Sequence, residues 1–295
     1  MQAEHSLLPI PSPMQLYAQT ILQLLQQLER LGYPQIDQVY IHNAYKFIIT
    51  KIVGRYRPSG KTTIAHMIGT ASILASLKTS KEIIAAGLLH VVYDYGDFGD
   101  GRSGISPAKQ QPTIAVLGTQ AEEYVRRYTL FNWSWNEAQL IEIRDRIASL
   151  DSFDRAVLLI RLANELEDFL DLGILYCESA EGRKEGIKAT GHLLIELANK
   201  LGFPMLAGEL SIAFENNLET RTFAEFCNPG FGTRDFALAP LSYTLKPTIK
   251  IHQTTTEIPK QLLNRILNGK QVLLSLRSRI HRKSKQIVRS LIPHV

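Results

Sequence analysis

The chain is short of most features that would tie it to a secreted, membrane-spanning or nucleotide-loop protein. Only two of its 295 residues are cysteines, Cys177 and Cys227. They are too few and too far apart for a disulfide framework or a zinc-ligand spacing, so a reducing, cytoplasmic setting is expected. No apolar run approaches the ~20 residues that cross a bilayer. Residues 1–13 lack the basic and then apolar pattern of a signal peptide. There is no Gly-x-x-x-x-Gly-Lys-[Ser/Thr] loop, no Gly-x-Gly-x-x-Gly after a strand and no Gly-x-Ser-x-Gly elbow. These gaps set aside ATP-loop, dinucleotide and serine-hydrolase chemistry. Acidic residues are also missing after Glu257, where nine Lys or Arg follow.

What the chain does contain is helical periodicity. At 45% hydrophobic content it can bury a substantial core. Pro9, Pro11 and Pro13 make residues 1–13 a flexible leader, because proline cannot hold a helix interior. From 14 to 218, apolar residues recur at steps of three and four while period-two alternation is scarce, which predicts an all-α bundle. Helices are expected over 14–31, 38–53, 62–78, 81–93, 113–128, 135–149, 153–172, 183–201 and 204–216. The glycine- and proline-rich stretch 95–112 is expected to be a long loop. Residues 219–257 scatter Phe223, Phe226, Phe231, Phe236 and Tyr243 at no helical period and predict an irregular aromatic-rich connector. Residues 258–295 predict a basic C-terminal helix.

Polar residues on successive helices are how a bundle builds a site at its centre. His66, His90, and then Asn164 and Asp168 on one later helix are the candidates here. Glu165 and Glu167 on that same helix are expected to face solvent. Arg57, Lys61 and Arg102 are candidates for a rim that binds phosphate, since guanidinium and ammonium groups form charge-assisted hydrogen bonds with it.

Arg57-Pro-Ser-Gly, Ile64-Ala-His66, Ala85-Ala-Gly-Leu-Leu-His90 and Leu159-Ile-Arg-Leu-Ala-Asn164 follow one another in order, with Leu197-Ala-Asn-Lys-Leu-Gly202 and Gly208-Glu-Leu210 behind them. Together they resemble the hydrolase domain of RelA/SpoT proteins, an HD-type helical fold, from about residue 44 to 214. The resemblance implies hydrolysis of the 3′-diphosphate of guanosine tetraphosphate with a manganese ion held by two histidines and two aspartates. His66 and His90 match the histidines. Val91 and Asn164 stand where the two aspartates are expected, and Asp94 keeps one of the paired acidic residues thought to assist the attacking water. Manganese prefers oxygen donors, and a carboxylate offsets the cost of desolvating a dication. Valine donates nothing and Asn164 only a neutral carbonyl, so Asp168, one helical turn on, is the candidate replacement ligand. A divalent metal, manganese or another, is the implied cofactor, and the altered ligand set also allows none.

Three expectations follow. The first is an HD-type protein that binds a phosphorylated small molecule or a partner with lost or altered hydrolysis. The second is a metal-dependent phosphohydrolase with a rearranged ligand set of His66, His90, Asn164 and Asp94 or Asp168. The third is a membrane-peripheral assembly factor acting through the last helix. There Arg277, Arg279, Arg282, Lys283, Lys285 and Arg289 interleave with apolar residues. Such a helix suits an anionic membrane surface or an acidic partner, and behind these nucleic acid. A homodimer is compatible with all three.

Overall fold

The structure is a computed structural model that describes residues 17–52, 54–221 and 236–237. The leader 1–13, the basic segment 258–295 and most of the connector 219–257 lie outside the described residues, together with the partners expected for them.

The described chain is all-α apart from one short pairing. Helices α1 (Ile21–Arg30), α2 (Gln35–Ile48), α3 (Thr63–Ser76), α4 (Lys81–Leu89) and α5 (Val92–Tyr95) are followed by α6 (Pro107–Leu130) and α7 (Glu137–Arg146). Then come α8 (Ser152–Leu170), α9 (Ala180–Leu201) and α10 (Pro204–Glu219). Strand β1 (Arg55–Tyr56) pairs antiparallel with β2 (Phe236–Ala237), which gives the expected irregular connector one extended stretch. No helix among the described residues is long and apolar enough to cross a membrane.

Side-chain oxygens define several helix starts by accepting backbone N–H groups that lack a helical partner. Thr20 closes a capping box with Gln23 on α1, while Thr62, Ser80 and Asp151 cap α3, α4 and α8. Helix α3 is the axis of the bundle. Met67, Ile68, Ala71, Ile73, Leu74 and Ala75 are all buried, so it is apolar around most of its circumference. It packs against α1, α4 and α8. His66 and the residues of α8 that face it are therefore deep in the core.

The expected loop 95–112 is shorter than its composition suggests, because α6 begins at Pro107. Ser106 is extended, and proline at the first helical position gives up only an N–H that had no helical partner. Pro112 lies inside the helix, whose buried face (Thr113, Leu117, Ala121, Tyr124, Val125, Tyr128) packs on α4 and α8. The helix breaks at Gly118, where φ is 76° and ψ 168°. Tyr40 Oη donates to Leu117 O at 2.6 Å beside the break. The loop that remains is tied down from within. Lys109 is fully buried, and its ammonium donates to Tyr93 O at 2.7 Å and Arg102 O at 2.6 Å, tying the middle of the glycine-rich segment to a residue just before it.

Candidate functional site

Three helices bring the polar centre together. His66 comes from α3, His90 caps the C-terminus of α4, and Asn164 projects from α8. Both histidines are fully buried. His90 Nδ1 donates to Gly87 O at 2.7 Å, which turns its Nε2 inward to 3.3 Å from His66 Nε2. Asn164 Oδ1 is 3.0 Å from the same His66 nitrogen. On the far side of the ring, His66 Nδ1 meets the Glu167 carboxylate. Burial pushes the His90 imidazole well below the usual histidine range, and the nearby His66 pushes the same way. His90 is therefore neutral, consistent with one N–H spent on Gly87.

Glu165 and Glu167 depart from expectation. Their composition points to solvent, yet they are only 5% and 1% exposed. Their partners explain the difference, since a buried carboxylate is tolerated when it is paired and hydrogen-bonded. Glu167 is held between His66 and the ammonium of Lys61, which also reaches Asp171 at 3.1 Å. It lies against Gly69 so closely that a Cβ built there would stand 2.5 Å from Glu167 Oε1. Glu165 accepts the indole N–H groups of Trp133 at 2.8 Å and Trp135 at 3.1 Å. Burial first, and then the neighbouring Asp168, raise its carboxyl above the usual range.

Asp168 lies on the Nδ1 side of His66, at 3.5 Å. Both of its oxygens accept from Arg57 Nη2, at 2.5 and 2.6 Å. Although burial opposes its ionisation, the Arg57 guanidinium, with His66 and Arg183, holds this carboxyl at about 2. A depressed carboxyl stabilises the fold above its unfolded value and stops doing so as pH falls through its folded value. The Arg57–Asp168 pair should thus contribute on the order of 2 kcal/mol at neutral pH. That contribution should fade between pH 3.8 and about 2. Acid unfolding followed by circular dichroism should show Asp168→Asn destabilised at pH 6 and level with the parent chain near pH 2.

His66, Glu167 and Asp168 form a cluster whose donor atoms lie within 4.8 Å of one another, close enough to hold a metal ion. A cation on that face would compete with Arg57 and Lys61, which already neutralise the two carboxylates. The opposite face offers His66 Nε2, His90 Nε2 and Asn164 Oδ1. Two imidazoles with set tautomers and an amide oxygen fit a divalent cation. They do not fit the carboxylate-rich manganese site that the resemblance implies, because Val91 supplies no donor.

Next to this centre lies a cavity of about 290 Å³, bordered by Arg161, Arg183, Asp94, Asn164, Trp133 and Trp135. It sits at the small end of ligand pockets, which run from ~300 Å³ upward. Burial raises the Asp94 carboxyl, with Lys109 and Arg161 pulling the other way. Arg161 lays its guanidinium 3.8 Å from the centre of the Tyr128 ring, and its buried Nε has no hydrogen-bond partner. Neither Arg161 nor Arg183 forms a salt bridge within 4 Å among the described residues, although both pull down the Glu165 carboxyl and Arg183 that of Asp168, which line the same cavity.

Of the expected rim, Arg57 borders the cavity but is engaged by Asp168, Lys61 is engaged by Glu167 and Asp171, and Arg102 is exposed and does not line the cavity. The two available cations were not singled out from sequence. Arg161 was within reach, one turn before Asn164 on the same helix face. Arg183, at the start of α9, carried no local signal.

A model of the HD domain matches residues 44–203, more than half of the chain. The chain belongs to the HD-domain family. Among curated proteins this HD-domain chain is 27% identical over 161 residues to a guanosine-3′,5′-bis(diphosphate) 3′-pyrophosphohydrolase of Haemophilus influenzae, covering 53% of this chain and 22% of that protein. It is 26% identical over 200 residues to the bifunctional (p)ppGpp synthase/hydrolase SpoT of Escherichia coli, covering 66% and 26%. A probable guanosine-3′,5′-bis(diphosphate) 3′-pyrophosphohydrolase of Synechocystis is 28% identical over 154 residues, covering 52% and 19%. The chain thus spans about a quarter or less of these relatives' length, as a diverged member of an HD-type hydrolase family.

Proposed function

We propose that this HD-domain protein binds a phosphorylated small molecule in the cavity beside His66, His90 and Asn164, with hydrolysis lost or altered relative to its relatives. The observation that carries the reading is the pair of guanidiniums, Arg161 and Arg183, which border one cavity and form no salt bridge within 4 Å among the described residues, with Glu165 and Asp168 on the same wall. Stacking on Tyr128 holds the Arg161 plane while leaving its N–H edge free, an arrangement suited to a phosphate oxygen. The relatives are named for acting on guanosine 3′,5′-bis(diphosphate), itself a phosphorylated small molecule. The exchange of both expected aspartates for Val91 and Asn164 supports altered chemistry.

One observation favours a second reading, a phosphohydrolase with a rearranged ligand set. Asp94 borders the same cavity as Asn164, whose amide oxygen faces His66. A divalent cation held by His66, His90 and Asn164 would supply Lewis-acid polarisation of a phosphoryl oxygen. On that reading Asp94, its carboxyl raised by burial, accepts a proton from water at the cavity wall, while Arg161 and Arg183 hold the phosphate.

Both tryptophans of the chain, Trp133 and Trp135, border the cavity, so intrinsic fluorescence reports on it specifically. Titrating pyrophosphate and a panel of nucleoside and sugar phosphates should give a saturable fluorescence change with at least one of them, weakened by salt. A flat signal across the panel would overturn the reading. Phosphate release in the same samples separates the two readings.

A further inference from the structure

We propose that the centre formed by His66, His90 and Asn164 selects a borderline, nitrogen-preferring divalent cation of the zinc class over the hard manganese ion that the family resemblance implies. His90 spends its Nδ1–H on Gly87 O at 2.7 Å, which leaves Nε2 with a lone pair. His66 turns Nδ1 to the buried Glu167 carboxylate, which fixes that nitrogen as a donor. This is the carboxylate–histidine pairing that sets a ring as a metal ligand through its other nitrogen. The two Nε2 atoms then face each other at 3.3 Å, with Asn164 Oδ1 at 3.0 Å from His66 Nε2.

Lone pairs meeting head-on repel, so with Asn164 presenting its oxygen and His66 donating through Nδ1 the cluster calls for a positive centre, either a cation or a second proton on His66. The spacing suits a shared cation, since two ligands on a tetrahedral ion at about 2.0–2.1 Å stand roughly 3.3–3.4 Å apart.

The donor set decides which cation. All three donors are neutral and two are imidazole nitrogens, which suit zinc, cobalt and nickel, whereas manganese favours carboxylate and water oxygens. The carboxylates of α8 are committed elsewhere: Glu167 to His66 and Lys61, Asp168 to Arg57, and Glu165 to the two indoles. Of the two positions where the resemblance expects an aspartate, Val91 and Asn164, the second already faces His66.

The test uses the full chain stripped with a chelator, passed through a desalting column after addition of Zn²⁺, Co²⁺ or Mn²⁺, with bound metal counted by mass spectrometry. One Zn²⁺ or Co²⁺ per chain should be retained, and Co²⁺ should develop the visible absorption of a nitrogen-containing site. Retained Mn²⁺ should be substoichiometric. Asn164→Asp, which restores a carboxylate without enlarging the side chain, should raise the Mn²⁺ retained. Two results overturn the proposal: Mn²⁺ retained as well as Zn²⁺, or no metal retained by a folded parent chain, which would leave the proton as the positive centre. Because the readout is bound metal, the outcome does not depend on whether the cavity takes a phosphorylated ligand.

Discussion

Replacing Glu167 with alanine should destabilise the fold by about 3–5 kcal/mol, the usual cost of removing one partner from a buried ionic network. Glu167 is 1% exposed. Its loss strands the Nδ1–H of His66 and takes from Lys61 the nearer of its two carboxylates. For a domain of this size, that loss corresponds to a fall in Tm of about 10 °C. Glu167→Gln keeps an oxygen for His66 but gives up the charge that faces Lys61, so it should fall between the parent chain and the alanine variant. Thermal unfolding at pH 7 checks the order. Equal Tm values for all three chains would show that the carboxylate does not organise the centre. Gly69→Ala attacks the same group from the other side, since the added methyl would occupy the space taken by Glu167 Oε1.

The second large effect is on binding. Removing both Arg161 and Arg183 should weaken capture of pyrophosphate by about two to four powers of ten, because each charge-assisted hydrogen bond contributes about 1.5–3 kcal/mol and each 1.4 kcal/mol is tenfold. Stability should change less than affinity, since neither guanidinium forms a salt bridge within 4 Å among the described residues and their pull on Glu165 and Asp168 acts at longer range. Arg161→Lys should not restore affinity, because an ammonium keeps the charge but loses the planar fork and its stacking on Tyr128. Isothermal titration calorimetry of the parent, double-alanine and lysine chains at one fixed salt concentration provides the comparison. Affinity unchanged in the double variant would remove the two arginines from the account.

The difference between these residues and the ones first singled out shows what local sequence carries. The positions of α3, α4 and α8 were legible because Thr62, Ser80 and Asp151 mark their starts and apolar residues then recur at helical spacing. His66, His90 and Asn164 were legible as a centre because their motifs follow one another along the chain in one familiar order. The onset of α6 was obscured by its own chemistry: Pro107 and Pro112 look like loop residues until one sees that the first stands where no N–H is needed. Burial of Glu165 and Glu167 was out of reach for another reason. Both carry the composition of a solvated helix face, and what makes their burial tolerable lies on other elements, Trp133 and Trp135 before α7, and Lys61 and His66 at the start of α3. The same holds for Arg57 and Lys61, whose charge suited a phosphate rim until their carboxylate partners on α8 came into view.

The most direct test of the proposed binding function is a crystal of the full chain soaked in tungstate, a heavy analogue of phosphate, with the anion located by anomalous scattering. A peak is expected in the cavity within hydrogen-bonding reach of both Arg161 and Arg183, bordered by Trp133 and Trp135. Tungstate bound elsewhere on the chain, with no peak between the two arginines, would contradict it.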